Sequence, residues 1–378
     1  MRLNIKMTEI DNNELTIGPR CCVVDTSKGR FETPSRALSS QEAGPFLKTS
    51  LTWMPLVNSI YEHYRTFTLQ DINELMNRNG TMKNFISKIS EIKSKHDEKL
   101  SLFYPIRKNK GITFKDKDIR TLIDLQYLSG FDLITVPDYW PDDCGIKEIL
   151  KKYEKLKREI ENNLDTFLVP YVRLNRSPNE FETILSGLIK MDFPIVGLEY
   201  YSPLDKYYPN LRKLRDFSMN SEHTIFHASK VSPRYGRSKI KLSNLHALGL
   251  FGIDTVSRGA PAAGGGTQKI ESIRRFSPKS LGVLDKSEYT QDEMWSVKDC
   301  SCPLCNEKTV AEFYEDYSKR PNGKKKSPIF LASVSKVHEA FSSYEEFKKT
   351  VKHIHKNKYM EEYVPSKTYL SSYAKSVS

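Results

Sequence analysis

Nowhere in these 378 residues is there an apolar run of about 18, the length that a membrane-crossing helix needs, so no membrane partner is expected. The opening stretch Met1-Arg-Leu-Asn-Ile-Lys-Met-Thr-Glu-Ile10 lacks the apolar core of a signal peptide. No internal repeat or long low-complexity tract is present. Cysteine is scarce, at six residues, and three of the six fall in one short cluster. The other three are Cys21, Cys22 and Cys144; adjacent Cys21 and Cys22 are poorly placed to bridge each other, so a reducing cytoplasm fits better than secretion. Acidic residues are outnumbered, 47 against 59 Lys and Arg, for a formal net charge of +12. A polyanionic partner is the expected counterpart of that charge; a generally lysine-rich composition is the bland alternative.

What is present is concentrated first in Cys300-Ser-Cys302-Pro-Leu-Cys305, followed 33 positions later by His338. Three thiols this close, with an imidazole one helical segment away, match the ligand set of a closed tetrahedral zinc site. Such a site is structural, because protein fills all four positions and leaves none for water. His353 and His355 are also in reach, but both sit in a lysine run. His338 stands between Val337 and Phe341 at the start of a helical pattern, which favours it as the fourth ligand.

The rest of the chain has a rhythm. Residues 1–15 are polar with little pattern, and β-like pieces from Leu15 to Thr33 read as a hairpin ahead of the main fold. Strand-length apolar runs then recur at Pro55–Ile60, Leu100–Ile106, Asp132–Pro137, Thr166–Val172, Pro194–Tyr200, Thr224–Ala228 and Leu248–Val256. Between them lie helical segments: Asp118–Tyr127 ending at Gly130, the stripe Ile146, Ile149, Leu150, Tyr153, Leu156 and Ile160, and the capped start Ser177-Pro178. Strands alternating with helices argue for βαβ units, and this many units in about 250 residues fit a (β/α)8 barrel, the TIM barrel, in the α/β class. A doubly wound open sheet is the alternative, disfavoured because no Gly-rich fingerprint follows the first strand. The expected organisation is a barrel with its hairpin over 1–299, a zinc-binding subdomain with a closing helix over 300–360, and a polar tail over 361–378. Helical character over Glu307–Tyr317 and Val337–Val351 flanks a basic loop, Arg320-Pro-Asn-Gly-Lys-Lys-Lys326.

In a parallel barrel the chemistry collects where the strands end. Those ends carry Asn58, Ser59, Tyr104, Arg107, Asp138, Tyr171, Arg173, Glu199, Tyr200, His227, Lys230, Asp254, Ser257 and Arg258. Asp138 emerges directly from the apolar strand ending Val136-Pro137, a costly place for a charge without a partner or a task. Helix capping is its plain alternative; Glu199 and Asp254 carry the same ambiguity. The loop Arg258-Gly-Ala-Pro-Ala-Ala-Gly-Gly-Gly266 follows the last strand, where active-site loops live, or is a linker.

In their order along the chain these features resemble the tRNA-guanine transglycosylase family, over about residues 28–345. Gly29-Arg-Phe-Glu-Thr-Pro34 resembles its opening hairpin, Gly130-Phe-Asp-Leu-Ile-Thr-Val-Pro-Asp138 the segment whose last Asp reads the base edge, and Ile195-Val-Gly197-Leu198 the glycine-bearing strand end that contacts the base. Gly252-Ile-Asp254 resembles the start of the nucleophile strand, and Cys300, Cys302, Cys305 and His338 the zinc site. The resemblance implies a (β/α)8 barrel with a Cys3His zinc subdomain that exchanges guanine for a 7-deazaguanine base. Two family carboxylates are missing: the first catalytic Asp falls on Asn58, and the nucleophile on Ser257. The arginine-rich loop of the tRNA enzymes is replaced by the Ala/Gly loop.

The expectation is therefore a divergent branch similar to the DNA 7-deazaguanine transglycosylases, with DNA favoured over tRNA. Asp254 is assigned as nucleophile, Asp138 as base reader, and Gly197, Glu199, Tyr200 and Asn58 as substrate-binding, with Tyr139 or Tyr200 stacking on the base. Arg258, Arg274, Arg275, Lys324, Lys325 and Lys326 would hold phosphates. Moving a carboxylate from 257 to 254 shifts it by roughly 10 Å along a strand, so the register must compensate. The alternatives are a tRNA-acting enzyme, a catalytically silent paralogue that binds nucleic acid or pairs with an active subunit, and a zinc-stabilised barrel acting on a small molecule. A homodimer or heterodimer is compatible with each.

Overall fold

The computed structural model describes residues 2–10, 17–40, 42, 59–108, 113–141, 143–201, 203–234, 241–259, 269–319 and 328–377. Asn58, most of the Ala/Gly loop and Lys324, Lys325 and Lys326 lie outside the described residues. The chain opens with an antiparallel sheet of β1 (Leu3–Ile10), β2 (Arg20–Thr26) and β3 (Gly29–Glu32). Eight strands then close a barrel: β4 (Ser35–Ser39), β5 (Ile60–Phe67), β6 (Leu100–Arg107), β7 (Leu133–Val136), β8 (Phe167–Arg173), β9 (Ile195–Glu199), β10 (Ile225–Val231) and β11 (Thr255–Arg258). Every neighbouring pair is parallel, and β11 pairs with β4 to shut the ring. The expected (β/α)8 architecture is what forms.

The intervening helices are α1 (Leu69–Asn77) and α2 (Asn79–Ser94), then α3 (Asp116–Leu128), α4 (Ile146–Asn163), α5 (Pro178–Lys190), α6 (Tyr208–Met219) and α7 (Asn244–Gly249). Their causes are local. Ser177 and Glu180 form a reciprocal capping box with Pro178 in the first turn of α5. Gly130, at φ +77°, takes the left-handed position that ends α3. Helix α4 buries Ile149, Tyr153, Leu156 and Ile160, one stripe against the barrel.

After the barrel come a small hairpin of β12 (Arg275–Ser277) and β13 (Gly282–Leu284), then α8 (Lys286–Gln291), α9 (Val310–Ser318), the long α10 (Pro328–Ile354) and α11 (Thr368–Val377). Leu38 and Tyr61 share an apolar cluster with Cys302, Cys305, Phe313 and Val334. That cluster fastens the cysteine-bearing segment to the outer face of β4 and β5.

Four expectations need correction. Residues 3–10 are not patternless but a strand, paired along β2. The run expected at Pro55–Ile60 belongs to a strand that begins at Ile60 and continues to Phe67. Leu248–Val256 is not one strand: α7 ends at Gly249, Gly252 turns the chain at φ +73°, and β11 starts at Thr255. All six residues of α7 are buried, and an apolar run buried all round has no periodicity to betray its type. The polar tail is a helix. Leu370, Tyr373, Ala374 and Val377 recur at i, i+3, i+4 and i+7 and are buried in the main core.

Inside the barrel, side chains alternate with period two. The layers nearest the strand starts are apolar: Ile60, Leu100, Leu102, Leu133, Val169, Ile195 and Ile225 form one cluster with Ile5, Val24 and Phe31 of the N-terminal sheet. That sheet plugs the bottom of the barrel. The layers nearest the strand ends are polar, and there the candidate site begins.

Candidate functional site

The metal cluster forms as its spacing suggests. The ligand atoms of Cys300, Cys302, Cys305 and His338 all lie within 4.8 Å of one another. His338 Nδ1 stands 3.3 Å from Cys302 Sγ and 3.4 Å from Cys305 Sγ. A tetrahedral ion with bonds of about 2.0–2.3 Å places its donors roughly 3.5 Å apart, so this group could hold a metal ion. His338 Nε2 lies 2.7 Å from the Phe276 carbonyl, which fixes the ring with Nδ1 towards the sulfurs. His353 does not compete; its Nδ1 bonds the Lys349 carbonyl at the far end of α10.

Arg275 is the first residue displaced from its expected role. It is wholly buried and donates to Cys305 Sγ at 3.0 Å while Asp299 holds it at 2.8 Å. Burial, which opposes its charge, is overcome by Tyr289, Asp299 and Cys305, so its pKa lies well above the ordinary value. It offsets thiolate charge rather than binding phosphate. Arg258 also points elsewhere: it pairs with buried Glu339 and ties the end of β11 to α10. Arg274 is half-buried on the same side.

Asp254 sits at the wrong end of the barrel for the chemistry assigned to it. Its carboxylate accepts from Arg20 Nε at 3.1 Å and Nη2 at 2.7 Å, from Thr33 Oγ1 at 3.1 Å and from the Phe226 amide at 2.8 Å. Those partners all precede or begin strands, so Asp254 lies beside the bottom plug, opposite the strand ends. Four donors occupy its acceptor sites. The shift of roughly 10 Å is not compensated by register.

Asp138 does emerge at the mouth but is engaged there. Arg176 forks onto it, both contacts at 2.6 Å, and the Arg173 amide adds 3.3 Å. Its side chain is buried. Tyr200 points outward into the core between barrel and helices, because neighbours alternate along β9 and Glu199 takes the inward place. Gly197 faces inward, yet a Cβ there would collide with the ring of Tyr171. The glycine makes room for Tyr171 to cross the barrel, where its ring packs 4.4 Å from Tyr104 and its hydroxyl lies 2.7 Å from Ser229 Oγ.

Two inward carboxylates remain. Glu199 is 2% exposed; its Oε1 accepts from Tyr139 at 3.2 Å and from Lys230 at 3.1 Å. Lys230 reaches it because β10 bulges between Ala228 and Val231, holding Lys230 at φ +62°, a strained left-handed conformation of the kind that gathers at functional rims. Glu62, fully buried, accepts from the hydroxyls of both Ser229 and Ser257, with His227 Nε2 at 3.6 Å. Ser229 thus links Tyr171 to Glu62. Burial first, then the nearby carboxylates, push the Tyr104, Tyr139 and Tyr171 phenols well above their usual range. They remain protonated donors. Glu62 escaped the sequence reading because β5 was expected to end where it starts; Ser229 and Arg176 lie just beyond the expected runs Thr224–Ala228 and Thr166–Val172. The alternation Ile60, Glu62, Tyr64 was the available signal.

No protein-family model matches this chain, and neither does any curated protein. No helix among the described residues is long and apolar enough to cross a membrane.

Proposed function

We propose that this chain is a nucleic-acid transglycosylase that exchanges guanine for a 7-deazaguanine base, DNA before tRNA. The observation that carries the proposal is the contact between Glu62 and Ser257. Where the resemblance to tRNA-guanine transglycosylases expects a nucleophilic carboxylate on the last strand, Ser257 stands and donates to a carboxylate supplied by β5. The parallel barrel clasped on its outside by a Cys3His group supports the same reading.

In this scheme Glu62 attacks the anomeric carbon of an unstacked nucleotide, forming a glycosyl ester as the glycosidic bond breaks and its electron pair leaves with guanine. Glu199, flanked by Tyr139 and Lys230, gives a proton to the departing base and takes one from the incoming base, which then attacks the ester. Entry of the base requires the Tyr104–Tyr171 stack to open. Asp138 reads no base edge while Arg176 holds it. Cys300, Cys302, Cys305 and His338 would hold zinc in a structural role, four protein donors being the set of a closed site.

The test is release of labelled guanine from duplex DNA and from bulk tRNA, each supplied with 7-deazaguanine bases. Glu62→Gln is expected to abolish both release and covalent trapping. Glu199→Gln is expected to slow release by about 10²–10⁴-fold while trapping persists. Trapping undiminished in Glu62→Gln would end the assignment. Metal analysis is expected to return one zinc per chain, lost in Cys302→Ser. A second reading, the catalytically silent paralogue, draws on Asp138 and Asp254 both being taken up by arginines. It predicts binding without release from either polymer.

A further inference from the structure

A groove lies far from the mouth, at the N-terminal end of the barrel between β3 and the last turns of α10, and encloses about 480 Å³. Its floor is apolar, built from Phe31, Phe347 and Val351, and its rim carries Arg30, Lys348 and Lys352. All three cations are exposed. Lys348 and Lys352 are one turn apart on one face of α10, a like-charge spacing that costs a helix stability. Among the described residues Lys352 makes no ion pair; Lys348 pairs with the partly exposed Glu345 at 3.1 Å and lies over the Tyr344 ring, 5.5 Å from its centroid, and Arg30 pairs with Asp25 at 3.9 Å. The one acid on the rim, Glu32, faces His355 at 3.5 Å. Over residues 345–358 the chain places five lysines and two histidines against two glutamates, and of those glutamates Glu346 is buried between Lys349 and Lys367.

We infer that this groove is a second nucleic-acid contact, gripping the phosphodiester backbone at the opposite end of the barrel from the mouth. Arg30, Lys348 and Lys352 take phosphates, and the Phe31–Phe347 floor takes the apolar face of a sugar or base. The site anchors the polymer independently of chemistry at the mouth. The inference rests on the proposed function only for the class of polymer. A cationic rim around an apolar floor selects a polyanion with flat apolar units, which distinguishes nucleic acid from an acidic peptide.

The experiment titrates labelled duplex DNA, single-stranded DNA and tRNA against the full-length protein across a salt series. Arg30→Gln/Lys348→Gln/Lys352→Gln is expected to weaken binding about tenfold or more and to lower the salt slope by about 2–3. A charge-matched control, Lys147→Gln/Lys151→Gln/Lys155→Gln on exposed positions of α4, is expected to leave affinity near wild type. Equal losses in both triple variants would overturn the groove as a site and reduce the effect to net charge. No loss in the groove variant, with wild-type binding intact, would overturn the groove while leaving the transglycosylase reading untouched. Binding that depends on the groove without any guanine release would do the reverse. Failure of the wild type to bind any of the three polymers would end both.

Discussion

The two ends of this barrel are built from the same residue types and put them to opposite uses. At the bottom, Asp254 and Arg20 are fully buried and fully bonded; Arg20 also donates to the carbonyls of Ser218, Ser221 and Thr224. Neither side chain has a buried nitrogen or oxygen without a partner, and the N-terminal sheet covers that end. At the top, Glu199 keeps one buried oxygen without a partner, His227 keeps an unbonded Nε2, and Lys230 holds a strained backbone. A carboxylate whose acceptor sites are filled by fixed donors stabilises a fold; one with an open site is available to a substrate. The difference is legible in partners, not in burial, since Asp254 and Glu199 are almost equally hidden.

The sharpest way to break that contrast is to damage the bottom. Asp254→Ala leaves the Arg20 guanidinium buried without its carboxylate, and breaking such a pair costs about 3–5 kcal/mol. Thermal and urea unfolding should show that loss, while guanine release per folded molecule stays unchanged. Glu62→Gln should give the mirror image, with chemistry lost and the melting temperature nearly kept. If Asp254→Ala abolished release from folded protein, the division between the two ends would be false.

How much of this was readable beforehand follows from the physics of each signal. The Cys3His cluster is local in sequence except for His338, so its spacing pointed to four side chains whose donor atoms meet within 4.8 Å and could hold a metal ion. The barrel was readable because strand and helix lengths alternate, although β5 and β11 were misplaced: the turn residues Asn58-Ser59 and Gly249 to Gly252 were read as parts of apolar runs rather than as their boundaries. The mouth was readable in part: Tyr104, Tyr171, Glu199, His227, Lys230 and Ser257 were expected at the strand ends and meet there, whereas Glu62 and Ser229 were not expected, because the composition of the mouth depends on which alternate residues face inward. A one-residue error turns Glu199 outward and Tyr200 inward. Arg275 misled for a related reason: charge reads as surface in a sequence, yet Arg275, like Arg20 and Arg36, is within 1% of complete burial. No local pattern announces the carboxylate or thiolate that meets them.

Gly197 tests the boundary between the two ends. A methyl group there must push the Tyr171 ring aside, and overpacking of this kind costs about 1–3 kcal/mol. Gly197→Ala should therefore lower stability moderately. Because Tyr171 bonds Ser229 and Ser229 bonds Glu62, it should also impair chemistry, unlike any change at Asp254. An unchanged rate with lowered stability would place Gly197 with the bottom.

The smallest effect separates pH-dependent stability from pH-dependent chemistry. His246 lies outside the barrel, stacked 4.4 Å from Phe347 and 5.3 Å from Phe276, with Nε2 3.1 Å from Ser343 Oγ. Burial first, then the Lys367 and Arg36 cations, depress its pKa to about 3. In the unfolded chain the imidazole returns to about 6.5, so below that pH the unfolded state binds the extra proton. Stability then falls as pH drops from about 6.5 towards 3, by about 2 kcal/mol at pH 5 for this one residue. His246→Phe keeps the stack but not the titration, so the stability difference between pH 7 and pH 5 should shrink by that amount in urea unfolding. The pH profile of the base-exchange rate should keep its shape. A profile that moved with His246→Phe would mean that the outer core and the mouth titrate as one unit.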